Sequence, residues 1–247
     1  MGVDRPHEEV ETPDSPDVQG QRSGGHDSRA EDHELSSRQA AYFTEYKATV
    51  DAEYRAYAID QGCDRVEKIE KEIVTPAMRR IEAEDPDRQL VGLEYSLKGK
   101  DRLTEKVSNW LKADAELTPE KAFGLVKDAI RYTFQYPDNR YTDGVLADCE
   151  RLKAAGFEFI DRKNSWDEQE YKGINTRWRV PESSQLFEVQ FHTRASFEAK
   201  QETHPAYERI RDPSTPHSEM TKLRDFQREV SARIPVPPRS SDIPDYP

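Results

Sequence analysis

The segment from Leu186 to Thr193 alternates strictly between apolar and polar side chains. A period of two predicts a β-strand with one apolar and one polar face. The apolar face carries Phe187, Val189 and Phe191. The polar face carries Glu188, Gln190 and His192. A carboxylate, an amide and an imidazole in one row are consistent either with a binding site or with a solvated sheet face.

Three more strands are predicted, over residues 129–136, 157–160 and 174–180. The turn at 181–184 joins the last of them to the 186–193 strand as a hairpin. If this hairpin pairs in register, the polar face of Asn175, Arg177 and Arg179 forms one floor with that of Glu188, Gln190 and His192. A site and a solvated face both remain open at this point.

Apolar residues at helical spacing predict six helices. These cover residues 38–60, 63–84, 101–112, 142–155, 194–210 and 218–233. Pro76 is expected to kink the second helix, because proline has no N–H to donate. Thr142 is expected to cap the fourth, and Gly156 to end it. The first carries a stripe that we expect to be core: Phe43, Tyr46, Val50, Tyr54 and Tyr57.

This order of elements predicts an α+β fold, a mixed β-sheet of about five strands flanked by helices, with disordered termini. Residues 1–36 are predicted to form a disordered acidic arm. Residues 234–247 are predicted to form an extended, solvated, proline-rich tail. One domain remains over 37–233. It has a helical part at 37–90, a catalytic sheet at 91–211 and a C-terminal helix at 218–233.

The 247-residue chain has a net charge of −12 and is 35% charged. This acidity argues against nucleic-acid or membrane binding by the whole surface, although it allows a local basic cleft. No apolar run approaches the length of a membrane span. Without an evident signal peptide, the chain is expected to be cytoplasmic or the mature part of an exported protein. Cys63 and Cys149 are expected to be buried or free thiols, with a single bridge as the alternative.

A basic segment precedes and enters the third predicted helix. Lys98 and Lys100 lie in a glycine-containing loop, and Arg102 and Lys106 share one helical face. Loop lysines at a helix N-terminus suit a polyphosphate. A solvated basic face is the alternative. The spacing is not that of a Walker P-loop.

Two further constellations carry chemistry. Asp128 opens an apolar strand, with Arg131 three residues later, and a strand-end carboxylate suits Mg²⁺. A surface-turn aspartate is the alternative. Tyr171 lies beside Lys172 and Gly173, an arrangement that suits stacking on a purine base. The alternative is an aromatic side chain that pins its loop to the core.

The order of these motifs resembles the synthetase domain of the RelA/SpoT-like alarmone synthetases over about residues 90–210. The matching segments are Lys98…Lys106, Asp128, Tyr171-Lys172-Gly173-Ile174-Asn175, Glu188-Val189-Gln190 and Glu198…His204…Tyr207. The motif order is more specific than any single motif.

Four positions depart from the family pattern. Glu170 replaces a glycine, Asn175 a histidine, His192 an arginine and Ser96 an arginine. These departures resemble the divergent branch of toxin-type small synthetases and secreted actinobacterial nucleotide 3′-pyrophosphokinases. The resemblance therefore leaves adenine and guanine open as the acceptor base. It favours export, with a cytoplasmic location as the alternative.

The resemblance implies a diphosphotransferase that moves the β,γ-pyrophosphate of ATP to the 3′-hydroxyl of a purine nucleotide. The products would be (p)ppApp or (p)ppGpp, and AMP. Asp128 and Glu188 are implied as catalytic residues and Mg²⁺ ligands, with Glu188 also the candidate base. The implied ATP contacts are Lys98, Lys100, Arg102, Lys106 and Arg131. The implied acceptor contacts are Tyr171, Lys172, Asn175, Arg177 and His192.

Two other functions remain as alternatives. A toxin-type relative would pyrophosphorylate the 3′ end of tRNA, but the acidic chain disfavours an RNA substrate. A non-catalytic nucleotide-binding module is disfavoured because both carboxylates of the implied metal site are present. No membrane partner is expected, nucleic acid is not the favoured partner, and a monomer is favoured.

Overall fold

The computed structural model describes residues 28–247, with side chains from residue 36 onward. Of the predicted disordered arm over 1–36, residues 1–27 lie outside the described residues. Residues 28–36 belong to the first helix. The chain divides into two compact units, residues 1–52 and 53–247. The helices are α1 (Ser28–Ile69), α2 (Thr75–Ala83), α3 (Lys100–Ala113), α4 (Pro119–Leu125), α5 (Tyr141–Ala154), α6 (Arg194–Arg211) and α7 (His217–Ser231).

A mixed sheet of five strands forms the centre of the second unit. The strands are β1 (Gln89–Val91), β2 (Arg131–Tyr136), β3 (Glu158–Asn164), β4 (Ile174–Arg179) and β5 (Leu186–Thr193). Their order across the sheet is β1-β2-β5-β4-β3. Only β2 and β5 are parallel neighbours among the described strands. The predicted fold class is confirmed, although β1 and α4 were not predicted.

The aromatic stripe of α1 is not core, and that prediction was wrong. Phe43, Tyr46 and Val50 of the first unit are exposed, as are Tyr54 and Tyr57 of the second. The buried residues of α1 begin only at Ile59 and continue through Ile69. Helical spacing identifies an apolar face, but it carries no information about which other element covers that face.

A π-helical turn, Glu70–Val74, separates α1 from α2 just before Pro76. Proline has no N–H for the helical ladder and its ring clashes with the preceding turn. The widened turn accommodates that break, so the α-helix is interrupted next to Pro76, where the kink was predicted.

The buried Glu70 carboxylate of this turn connects three parts of the second unit. Its Oε1 accepts hydrogen bonds from the hydroxyls of Thr75 (2.7 Å), Ser96 (2.8 Å) and Tyr132 (3.0 Å). Ser96 starts the basic segment and Tyr132 belongs to β2. The network therefore fixes the basic loop relative to the sheet.

The sheet register confirms the polar floor. Phe187, Val189 and Phe191 are fully buried, as the alternation predicts. On the other face, Glu188 pairs with Arg131 of β2 and with Arg177 of β4. Gln190 likewise pairs with Thr133 and Asn175. The polar positions of three strands therefore form one continuous surface.

The predicted cap of α5, Thr142, was wrong, because the helix begins two residues before the prediction. Its N-cap is Arg140, which makes no side-chain capping bond. Thr142 lies inside the helix and donates its hydroxyl to the carbonyl of Pro238 at 2.7 Å. Gly156 follows the helix with a φ of +92°, as a stop signal requires.

Cys63 and Cys149 are both free and buried, so the single bridge is absent. Across residues 28–247, every helix is too short or too polar to cross a membrane.

The C-terminal tail was expected to be solvated, but the structure shows it packed along the edge strand β3. Arg162 and Tyr246 exchange two backbone hydrogen bonds of 2.9 Å. The Asn164 side chain donates to the carbonyls of Ser240 and Ile243, and the Ile243 side chain is 1% exposed. A strand edge has unpaired backbone groups that favour pairing, which explains why proline-rich composition alone gave the wrong expectation.

Replacing Ile243 with alanine should lower the free energy of unfolding by ~2–4 kcal/mol, because it leaves a cavity in a buried site. Val236→Ala is the matched control, since Val236 is 58% exposed and should change stability by less than ~0.5 kcal/mol. Urea unfolding measures both. Equal stability of the two variants would contradict a packed tail.

Candidate active site

Two cavities open above the polar floor. One, of about 390 Å³, is bounded by Gly92 and Tyr95, and we call it the Tyr95 cavity. The other, of about 480 Å³, is bounded by Tyr171 and Asn175, and we call it the Tyr171 cavity. Six residues line both cavities and form their shared wall: Lys98, Arg102, Asp128, Arg131, Lys200 and His204.

Asp128 lies in the turn between α4 and β2, between two lysines. Its Oδ1 accepts a hydrogen bond from Lys106 Nζ at 2.7 Å, and its Oδ2 from Lys98 Nζ at 3.1 Å. Burial alone would raise the pKa of Asp128, but the two lysines outweigh it and lower the pKa to about 2. The carboxylate is therefore ionised throughout the physiological range.

Arg131 connects Asp128 to Glu188. Its Nε donates to Glu188 Oε2 at 2.9 Å, and its Nη2 lies 3.6 Å from Asp128 Oδ2. The Gln190 amide donates to the other oxygen of Glu188 at 3.1 Å. The two carboxylates thus face one guanidinium at the shared wall, and both oxygens of Glu188 have fixed donors.

The donor set at this wall suits a magnesium ion that arrives with a polyphosphate. Within the described part of the chain, no group of three or more His, Cys, Asp or Glu residues forms a complete metal site. Mg²⁺ in nucleotide sites is commonly held by one or two carboxylates, with phosphate oxygens and water completing its shell. Asp128 and Glu188 supply such a pair of carboxylates. Asp128 would be free to bind the ion once phosphate oxygens accept the hydrogen bonds of Lys98 and Lys106 in its place.

The predicted ATP contacts divide into two groups. Lys98, Arg102 and Arg131 line both cavities, and Lys106 reaches the wall through Asp128. Lys100 does not reach the wall, because it forms ion pairs with Asp60 at 2.6 Å and Asp64 at 3.1 Å on α1. It lines neither cavity.

The predicted acceptor contacts divide in the same way. Tyr171 and Asn175 line the Tyr171 cavity, and the Tyr171 hydroxyl donates to Asn175 Oδ1 at 2.9 Å. Lys172 instead donates to the backbone carbonyl of Trp166 at 2.7 Å. Arg177 forms an ion pair with Asp161 of β3. Neither Lys172 nor Arg177 lines a cavity.

His192 lies behind the site and not on its wall. Its side chain is fully buried, with Nε2 2.9 Å from the Tyr171 hydroxyl and Nδ1 2.8 Å from the Ser196 hydroxyl. Burial holds the pKa of His192 well below its usual value of 6.5, so the ring is neutral. A Cβ at Gly173 would lie 2.8 Å from His192 Cε1, which explains the glycine there. The expectation that His192 meets acceptor phosphates is corrected, because the ring supports Tyr171 instead.

The sequence analysis matched His204 and Tyr207 to the family pattern but placed no residue of α6 in the site. Lys200, Thr203, His204 and Tyr207 line the Tyr171 cavity at helical spacings of three and four. That spacing is visible in the sequence and could have identified the face. Glu198 lies on another face, where it pairs with Arg194 at 2.9 Å.

No family model matches the sequence, and no curated protein matches it. Solved structures are similar over most of both chains. Small alarmone synthetase 1 from Bacillus subtilis, bound to its product pppGpp, is 13% identical with a TM-score of 0.39, covering 74% of this chain and 92% of that one. The same enzyme bound to AMPCPP is 14% identical with a TM-score of 0.39, covering 72% and 89%. A GTP pyrophosphokinase family protein from Streptococcus pneumoniae is 12% identical with a TM-score of 0.46, covering 73% and 88%.

Replacing His192 with glutamine should remove a pH dependence of stability. Below about pH 6.5 the unfolded chain binds a proton at His192 that the folded chain does not bind. As the pH is lowered below this value, His192 should therefore reduce the wild-type free energy of unfolding by up to ~1.4 kcal/mol per pH unit. Glutamine does not titrate, so the variant lacks this contribution.

Urea unfolding at pH 7.5, 6.5 and 5.5 tests this expectation. All other titrating groups are common to both proteins, so the difference between their free energies of unfolding isolates His192. The wild type should lose stability relative to the variant as the pH falls. A constant difference would contradict a buried neutral ring.

Proposed function

We propose that this protein is an ATP-dependent nucleotide 3′-pyrophosphokinase. It transfers the β,γ-pyrophosphate of ATP to the 3′-hydroxyl of a purine nucleotide, giving (p)ppApp or (p)ppGpp, and AMP. One observation carries the proposal: Asp128 and Glu188 flank Arg131 where two cavities of ligand size meet. The motif resemblance supplies the reaction class.

The basic residues suit the donor. Transfer of this kind depends on alignment and charge neutralisation more than on covalent help from the protein. With ATP in the Tyr95 cavity, Lys98 and Arg102 meet its phosphates from the start of α3. Phosphate oxygens then replace Asp128 as the partners of Lys98 and Lys106. Arg131 stays at the wall between the donor and the acceptor.

The Tyr171 cavity suits the acceptor. The Tyr171 ring offers a stacking surface for a purine base, and Asn175 lies beside it. Glu188 lies at the cavity's junction with the donor side, where it accepts the proton of the 3′-hydroxyl. The 3′-oxygen forms a bond to the β-phosphorus. The bond from that phosphorus to the α,β-bridging oxygen breaks, and AMP leaves with this oxygen.

Asp128 and Glu188 would hold Mg²⁺. When bound, the ion supplies positive charge to the donor phosphates. The protein's own contribution is to hold the two carboxylates on one floor, with Arg131 and Gln190 fixing the orientation of Glu188.

Replacing Glu188 with glutamine should lower turnover at least ~100-fold, because the side chain keeps its shape but loses its basicity. The assay incubates the protein with γ-labelled ATP, Mg²⁺ and one of AMP, ADP, ATP, GDP, GTP or tRNA, and identifies the labelled product. Glu198→Gln is the matched control on the exposed face of α6 and should retain wild-type activity.

The same assay defines the contrary results. Near-wild-type turnover by Glu188→Gln would remove Glu188 as the base. Label found only on tRNA would replace the free nucleotide with an RNA acceptor. Nucleotide binding without any labelled product would make the protein a binding module.

A further inference from the structure

Lys200 is a cation of the shared wall that forms no ion pair. Across residues 36–247, no carboxylate lies within salt-bridge distance of Lys200 or of Arg102. Two other cations of the wall differ from Lys200 and Arg102, since Lys98 pairs with Asp128 and Arg131 pairs with Glu188. Lys200 belongs to α6, which is far in sequence from the basic segment at 98–106.

The contacts of Lys200 hold its ammonium group in place without neutralising it. Its Nζ donates to the amide oxygen of Gln190 and lies 5.6 Å from the centre of the Phe197 ring. The amide nitrogen of Gln190 donates in turn to Glu188 at 3.1 Å. A neutral amide therefore separates the cation from the carboxylate.

The surroundings make this position costly for a charge. Burial, with the positive charge of Arg131 adding and Glu188 opposing, lowers the pKa of Lys200 to about 8. Around the two cavities, six cations, Lys98, Arg102, Lys106, Arg131, Lys200 and Arg211, face four carboxylates, Asp128, Glu170, Glu188 and Glu208. An anion at the wall would relieve this excess of positive charge.

We infer that Lys200 binds phosphate oxygens at the point where the two cavities meet, as a cation supplied by α6. Because the wall is common to both cavities, Lys200 contacts the phosphoryl group that passes between the two nucleotides. The identification of this ligand as the transferred phosphoryl group rests on the proposed function. Phosphate binding by Lys200 can be measured independently of that reaction.

Lys200→Met keeps the length and apolar stem of the side chain and removes the charge. The matched control is Lys222→Met, which removes a lysine from the exposed surface of α7. Calorimetry with inorganic pyrophosphate and with α,β-methylene ATP, both in Mg²⁺, measures binding without turnover. Lys200→Met should weaken both ~10- to 100-fold, the range of a charge-assisted contact, and Lys222→Met should not.

A stability measurement separates ligand binding from a structural role. Removing an unpaired, half-buried charge should leave the urea midpoint of Lys200→Met unchanged or raise it. A lysine needed for packing would lower it. Lys200→Arg, which keeps the charge, should recover part of the pyrophosphate affinity.

Unchanged affinity in Lys200→Met, or weaker binding explained by a lowered midpoint, would overturn the inference. Pyrophosphate transfer by the wild type, measured on the same preparations, decides the proposed function separately. If the wild type and Lys200→Met transfer pyrophosphate at the same rate and bind with the same affinity, the phosphate contact of Lys200 is rejected and the proposed function stands. Weaker binding by the variant, with no transfer by the wild type, would keep the phosphate contact and reject the reaction.

Discussion

The parallel pairing of β2 with β5 places Arg131 directly beside Glu188, and the rest of the candidate site depends on that register. Side chains alternate between the faces of a strand, so a slip of one residue would bring Phe187 or Val189 onto the polar floor and bury Glu188 in the core. The three buried apolar residues of β5 resist that slip. The hydrophobic core thus fixes the position of the charged wall.

The two carboxylates of the candidate site are held by neighbouring donors. Asp128 lies between two lysines, and Glu188 between a guanidinium and an amide. Side chains held in this way would need little reorganisation if phosphates replaced Asp128 as the partner of the lysines, as the proposed function requires. Behind them, Glu70 fixes the basic loop to β2, and His192 fixes Tyr171. The site therefore rests on a second layer of buried polar contacts.

Local periodicity predicted the parts of the fold that depend on neighbours in sequence. The alternation at 186–193 predicted the strand and its two faces, and the hairpin register of the structure puts Asn175 opposite Gln190, on the shared polar floor. Periodicity could not predict the ion-pair partners of Lys100, because the packing of α1 brings Asp60 and Asp64 to it. His192 shares the alternation of Glu188, yet its burial depends on Gly173 and on Ser196 of α6. The proline-rich tail was misjudged for the same reason, since the open edge of β3 is a tertiary feature.

Gln190 shows why residue type, and not polarity alone, matters on the floor. Its amide accepts from Lys200 and donates to Glu188, so one neutral side chain links a cation to a carboxylate. A glutamate at this position would pair with Lys200 and cancel its charge, and it would also repel Glu188. A lysine or arginine would add a second cation beside Glu188, which Arg131 already contacts. An amide satisfies both neighbours through hydrogen bonds and leaves each with its charge, as the proposed base and the proposed phosphate-binding cation would require.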